Sequence, residues 1–169
     1  GRIGMIAPGR VPVRDPRNTV AGRAPVPGWD AVYDWKGYLK FDSLPRVDDS
    51  NVGAVGTANA RMVDADYPHL LTYDWDPSFR QQRIKQLIFD ADKHDMDSMR
   101  AAQTDVLSLA IVKLQPLMVA AVQAGGFVVP GVLDQLTVWH ATMRADRPEP
   151  LIFTAWMREA VRAIYADDL

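Results

Sequence analysis

The chain has 169 residues, 48% of them hydrophobic and 24% charged, with a formal net charge of −2; this suits one folded domain and excludes a disordered or fibrous chain. The near-neutral balance argues against nucleic acid or an anionic membrane surface as a partner. The absence of cysteine removes disulfides, zinc–thiolate sites and a Cys nucleophile.

The opening, GRIGMIAPGR, has no apolar core of a signal peptide. Its apolar run is already under way at Gly1, so the sequence is expected to begin inside a larger protein. Residues 1–46 hold eight Lys/Arg against four Asp/Glu, scattered between prolines, which reads as a solvated surface. Residues 1–72 are rich in Pro and Gly without helical period. Strands are expected at 3–6, 38–41 and 52–58, with a tight bend at Pro27-Gly28. From Asp76 the pattern turns helical: Asp76 as cap, Pro77 in the first turn, and Ile84, Leu87 and Ile88 at helical spacing. A second helix is expected from the cap Asp95, with Met99, Ala102, Val106, Leu109, Ala110 and Leu114 on one stripe, and Pro116 kinking it or starting the next.

The uncharged stretch 114–133 is interrupted by Pro116, Gly125, Gly126, Pro130 and Gly131, so it predicts a buried helix and a turn rather than a membrane span. A short helix over 133–143 follows. A final helix comes after the Pro148-Glu149-Pro150 break, with Ile152, Ala155, Trp156, Ala163 and Ile164 inward. Strands first and then four or five helices make an α+β pattern, a single fragment with a strand and loop part at 1–72 and a helical part at 73–169.

No phosphate loop, dinucleotide fingerprint, zinc-protease helix or EF-hand loop is present in the sequence. Gly53-x-x-Gly56 reads as a turn between strands. His69, His94 and His140 lack ligand spacing and read as surface or helix-end residues. Asp48-Asp49 and Asp167-Asp168 read as solvated charge. Gly56-Thr57 has the residue types of a self-cleavage point, but it falls mid-strand in this reading and is set aside.

Three segments in order carry a resemblance: GRVPVRDP at 9–16 with PVPGWDAVYDWKGYLKFDSLPR at 25–46; VGAVGTANARMVDADYP at 52–68; and PSFRQQRIKQLI at 77–88 with DMDSMRAAQTDVLSLAIVKLQP at 95–116. Together they resemble the β subunit of the penicillin acylase family, N-terminal-nucleophile hydrolases. The resemblance implies an internal fragment of that subunit, part of an αββα sandwich. It further implies hydrolysis of a linear C–N amide, penicillin-type or N-acyl amine, by the terminal Ser of the subunit. That Ser lies outside this chain, as do the rest of the β subunit and the small α subunit expected as partners. No nucleic acid or membrane partner is expected, and the location implied is periplasmic or secreted.

Carried over by motif, Asn59 falls on the side-chain donor of the oxyanion hole, although the usual Ala-Asn-Asn reads Ala58-Asn59-Ala60 here. Arg80 falls on the active-site Arg that holds the Asn and the nucleophile's surroundings. Arg83 is expected in a structural ion pair, and Gln103, Asp105 and Ser108 in buried polar packing. No cofactor is implied for the chemistry. Some members bind a structural Ca²⁺; Pro12 falls on one backbone ligand, but Leu70-Leu71 replace the expected carboxylate, so calcium is not expected. Without the resemblance, Asn59 reads as a turn or strand-end Asn holding its own backbone, Arg80 as a solvated first-turn cation, and the chain as a non-catalytic helical binding or scaffolding domain.

Overall fold

The computed structural model describes residues 2–48, 53–126 and 129–166. It is α+β, with two short antiparallel sheets and five α-helices among the described residues, in two compact units, Gly1–Asp76 and Pro77–Leu169.

In the first unit β1 (Met5–Ile6) pairs with β4 (Arg46–Val47), and β2 (Pro12–Arg14) with β3 (Trp35–Tyr38). The β2–β3 register shifts between Val13 and Arg14; such a bulge re-aims the side chains beside it. Pro27 accepts from the Asp30 N–H at 3.2 Å, closing the bend expected at Pro27-Gly28. Asp30 then caps a single 3-10 turn through its side chain. The strand expected at 38–41 ends at Tyr38, and a second 3-10 turn, Phe41–Ser43, takes its place. The strand expected at 52–58 is absent from its described part, 53–58. Gly53 lies at φ 70°, a left-handed conformation that breaks a pleat. Gly56-Thr57 is therefore not mid-strand. Among the described residues of this unit the buried apolar ones are Leu44, Pro45, Ala58 and Ala60; four two- to four-residue strands leave little to pack against.

The second unit contains α1 (Phe79–Ile88), α2 (Met96–Gln103), α3 (Leu109–Gly125), α4 (Val132–Val138) and α5 (Glu149–Tyr165). Ser78, not Asp76, stands at the start of α1. The Asp76 N–H instead donates to the Asn59 carbonyl at 3.0 Å, which holds it outside the helix. Asp95 caps α2 as expected, in a reciprocal pair of bonds with Ser98.

The long stripe from 95 to 116 is two helices. Residues 106–108 run beside 141–143: Leu107 bridges Thr142, the Met143 N–H donates to Val106 at 2.8 Å and the Ser108 N–H to Ala141 at 3.0 Å. The same pairing corrects the helix expected at 133–143, which stops at Val138 so that 141–143 can extend. Ser108 then caps α3 through its side chain. Pro116 lies inside α3 and neither ends nor begins a helix. The carbonyl it leaves without an intrahelical partner belongs to Val112, a residue on the exposed face of α3. Gly126, at φ 70°, ends α3, as Gly suits a left-handed cap.

The core is Ile111, Leu136, Trp139, Ala141 and Phe153, with Leu107, Leu114, Met118, Ile152, Trp156 and Met157 around it. Buried Gln115 on α3 donates from Nε2 to the carbonyls of Leu136 and of Trp139, the latter at 3.0 Å, which fastens α3 to the end of α4. On α5 the inward face is Phe153 with Ile152, Trp156 and Met157. Ala155, Ala163 and Ile164, expected inward, are exposed: Ala155 lies two residues from buried Phe153, on the opposite side of the helix, and the last five residues of α5, 161–165, are all exposed. No helix of the described residues is long and apolar enough to cross a membrane.

Candidate functional site

The turn at Ala58–Ala60 is built by contrast. Ala58 and Ala60 are 7% and 6% exposed, while Asn59 between them is exposed. Asn59 adopts φ 61°, a left-handed conformation that Asn reaches more readily than most residues. With its neighbours anchored and its carbonyl taken by Asp76, the turn presents the side chain outward. Downstream, Arg61 donates to the carbonyls of Val63 at 3.0 Å and Asp64 at 3.2 Å. Tyr67 donates its hydroxyl to the Ser43 carbonyl at 2.6 Å, tying this loop to the buried Leu44 segment.

In the second unit Arg80 is exposed in the first turn of α1. One turn on, Arg83 forks onto Asp105, Nε to Oδ2 at 2.9 Å and Nη2 to Oδ1 at 2.7 Å, and Nη1 donates to Gln86 at 3.0 Å. Arg83 is thus in the expected ion pair. Asp105 is half-buried in that pair, and half-buried Ser108 caps α3. Gln103, expected to be buried, is exposed; it ends α2 where the chain turns away toward the 106–108 pairing.

The Arg83 fork holds the Asp105 carboxyl below the usual carboxylate range, mainly by direct hydrogen bonding. A group whose folded pKa is depressed contributes stability above its unfolded pKa, near 4 on average, and loses it as pH falls through the lower folded value. Asp105→Asn is therefore expected to destabilise the helical unit by about 1–2 kcal/mol at pH 7, the lower part of the charged-bond range because both groups reach water. The gap to the wild type should narrow as the pH falls through the depressed Asp105 value, in urea titrations followed by circular dichroism; an unchanged gap would place the loss in packing.

A cleft of about 280 Å³ lies beside β2 in the first unit, lined by Pro12, Arg14, Asn18, Leu39, His69 and Leu70 among others. Its donor set does not suit a hard cation: the one carboxylate on the wall, Asp15, is taken by Arg17, and the Arg14 guanidinium lines the same cleft. Among the described residues no three His, Cys, Asp or Glu side chains converge. Sequence reasoning missed this cleft by treating the early arginines as solvated scatter. Arg17 forks onto Asp15 at 2.9 and 3.0 Å, Arg23 lies 4.2 Å from the Tyr73 ring centroid, and Arg14 is half-buried. His94 Nε2 donates to the Ile88 carbonyl near the end of α1, 2.9 Å away, as a helix-end His should.

A family model described as penicillin amidase matches residues 1–169. The chain is 30% identical to the Penicillin acylase 2 proenzyme of Pseudomonas sp. (strain SE83) over 98% of its own length and 21% of that protein's. It is 32% identical to the acyl-homoserine lactone acylase QuiP of Pseudomonas aeruginosa, over 99% and 21%, and 30% identical to that of Pseudomonas putida, over 99% and 22%. The chain thus spans about a fifth of the length of these relatives.

Proposed function

The chain belongs to the penicillin amidase family, and from that premise we propose that it is an internal segment of an acylase that hydrolyses a linear C–N amide through a terminal Ser outside these residues. The two acylase names among its relatives, and the fifth of their length that it matches, support this reading. In the whole protein the segment would sit in an αββα sandwich beside the rest of the β subunit and a small α subunit, in the periplasm or secreted. The substrate classes are β-lactam side-chain amides, acyl-homoserine lactones and other N-acyl amines.

The Ser hydroxyl attacks the amide carbonyl carbon, and its proton passes through water to the free α-amine. The carbonyl oxygen becomes an oxyanion. Asn59 donates to it from the side-chain amide, and the negative charge makes that bond stronger than it was to the neutral carbonyl. Collapse expels the amine, which takes a proton; water then releases the acid from the acyl ester by the same route. Arg80 is a positioning residue: a planar, permanently charged multi-donor group that orients the Asn59 amide. The observation that carries the assignment is the left-handed turn holding an exposed Asn59 between two buried alanines.

The 169-residue chain alone is expected to hydrolyse no amide, whereas the whole protein, once processed, should release acid and amine. The check is turnover of phenylacetyl and fatty-acyl anilides by both, against buffer. Turnover by the chain alone would overturn the assignment of the nucleophile, and an inactive but correctly processed parent would favour a binding role.

A further inference from the structure

Arg14 is half-buried and lines the cleft beside β2. The bulge between Val13 and Arg14 turns its side chain, and its Nη2 lies 3.7 Å from where a Cβ would stand on Gly22, so the 21–22 turn abuts the guanidinium. Among the described residues no carboxylate pairs with Arg14 and no acceptor takes its N–H groups. Asn18, 8% exposed, lines the same cleft. Its Oδ1 accepts from the Ala21 N–H at 2.9 Å, which fixes the amide with Nδ2 as its open end. No fully buried side-chain nitrogen among the described residues lacks a partner, so Nδ2 keeps an accessible face. The turn that holds it is strained, since Ala21 sits at φ 51°, an uncommon conformation for Ala. His69, its ring edge-on to Tyr67 at 5.6 Å, is a third donor on the wall.

The one acid on that wall, Asp15, is neutralised: Arg17 holds it in a two-bond fork and keeps its carboxyl far below the usual range. Arg23, stacked on Tyr73, adds a further positive charge nearby. Val13, Leu39 and Leu70 complete the cleft with hydrocarbon. Arg14, Asn18 and His69 line the same cleft as these apolar side chains, and about 280 Å³ is room for a small organic molecule.

We propose that this cleft binds a small organic carboxylate, its two oxygens on the Arg14 fork with Asn18 and His69 as further donors and its hydrocarbon body against Leu39 and Leu70. A planar fork matches a carboxylate in two parallel bonds, and the apolar walls select a body that inorganic anions lack. The site is separate from the Asn59 turn, and it stands whether or not the amide-hydrolase reading does.

The probe is benzoate, titrated into the full 169-residue chain while amide shifts of Ala21, Gly22 and Leu70 are followed by NMR. A saturable shift with a Kd of about 0.1–10 mM is expected, the range open to a ligand of nine heavy atoms. Arg14→Gln should weaken it at least about tenfold, while Arg100→Gln, in the other unit, should leave it unchanged. Leu70→Asp leaves Arg14 in place but puts a carboxylate on the wall, and should abolish binding; it serves if Arg14→Gln does not fold. No saturation by about 50 mM benzoate, five times the upper end of that range, overturns the proposal, as does binding by Arg14→Gln within threefold of wild type. Equal binding of benzamide, or displacement by equimolar inorganic phosphate, would overturn the carboxylate assignment.

Discussion

Replacing Asn59 by Ala in the whole, processed acylase is expected to lower kcat by about 10²–10³ with little change in KM, the loss typical of one oxyanion donor. The interaction strengthens only as charge develops, so the substrate complex should hardly notice its absence. Asn59 lies at φ 61°, however, and an Ala there adds strain of about 1–2 kcal/mol. Asn59→Gly separates the two effects, because Gly accepts this backbone freely and still lacks the amide. Both variants should lose kcat equally. If processed Asn59→Gly keeps near-normal kcat, the residue is a turn former and the donor lies elsewhere. Arg80→Lys should also reduce kcat, since a point charge does not replace a planar fork. Self-cleavage must be checked first, because it draws on the same donors.

Phe153→Ala is expected to destabilise the helical unit by about 3–5 kcal/mol, the range for removing a buried aromatic. Phe153 is 2% exposed and its ring lies 5.8 Å from that of Trp139 and 6.4 Å from that of Trp156. Such a loss is a large part of the total stability of a small domain, about 5–15 kcal/mol. Ile164→Ala on the same helix, at 64% exposure, should change stability by less than about 0.5 kcal/mol. Urea midpoints for the two, read by near-UV circular dichroism, decide between this face and the one the sequence suggested. Comparable losses would mean that the outer half of α5 is packed.

Features decided within a few residues were legible from sequence. Asp95 with Ser98, Gly126 and the Pro27 bend each carry their hydrogen-bond logic locally. The Arg83 pair was legible as a motif, and its partner Asp105 had been read as packing alone. What failed was set from a distance. The break after Gln103 and the early end of α4 share one cause, the pairing of 106–108 with 141–143. Periodicity reads each segment alone and does not register that pairing. The stretch 53–58 has strand composition but forms no strand, and β-propensity expresses itself only against a suitable neighbour. The face of α5 was misread because apolar residues lie on both sides of its second half. For the candidate site, Asn59 came from the motif, but its left-handed turn did not. Arg14 was hidden because an arginine between prolines looks the same in a cleft as in solvent.

The pairing of 106–108 with 141–143 also makes α3 and α4 a closed excursion of the chain. Its two ends are clipped together at the base, and Gln115 clasps α3 to the end of α4 partway along. Fastenings on both sides of the Gly126 connection mean that covalent continuity there contributes little to holding the helices together. A protease cut after Gly126 would leave two pieces still joined by core and clip, and evolution can lengthen or shorten that connection without moving either end of the excursion.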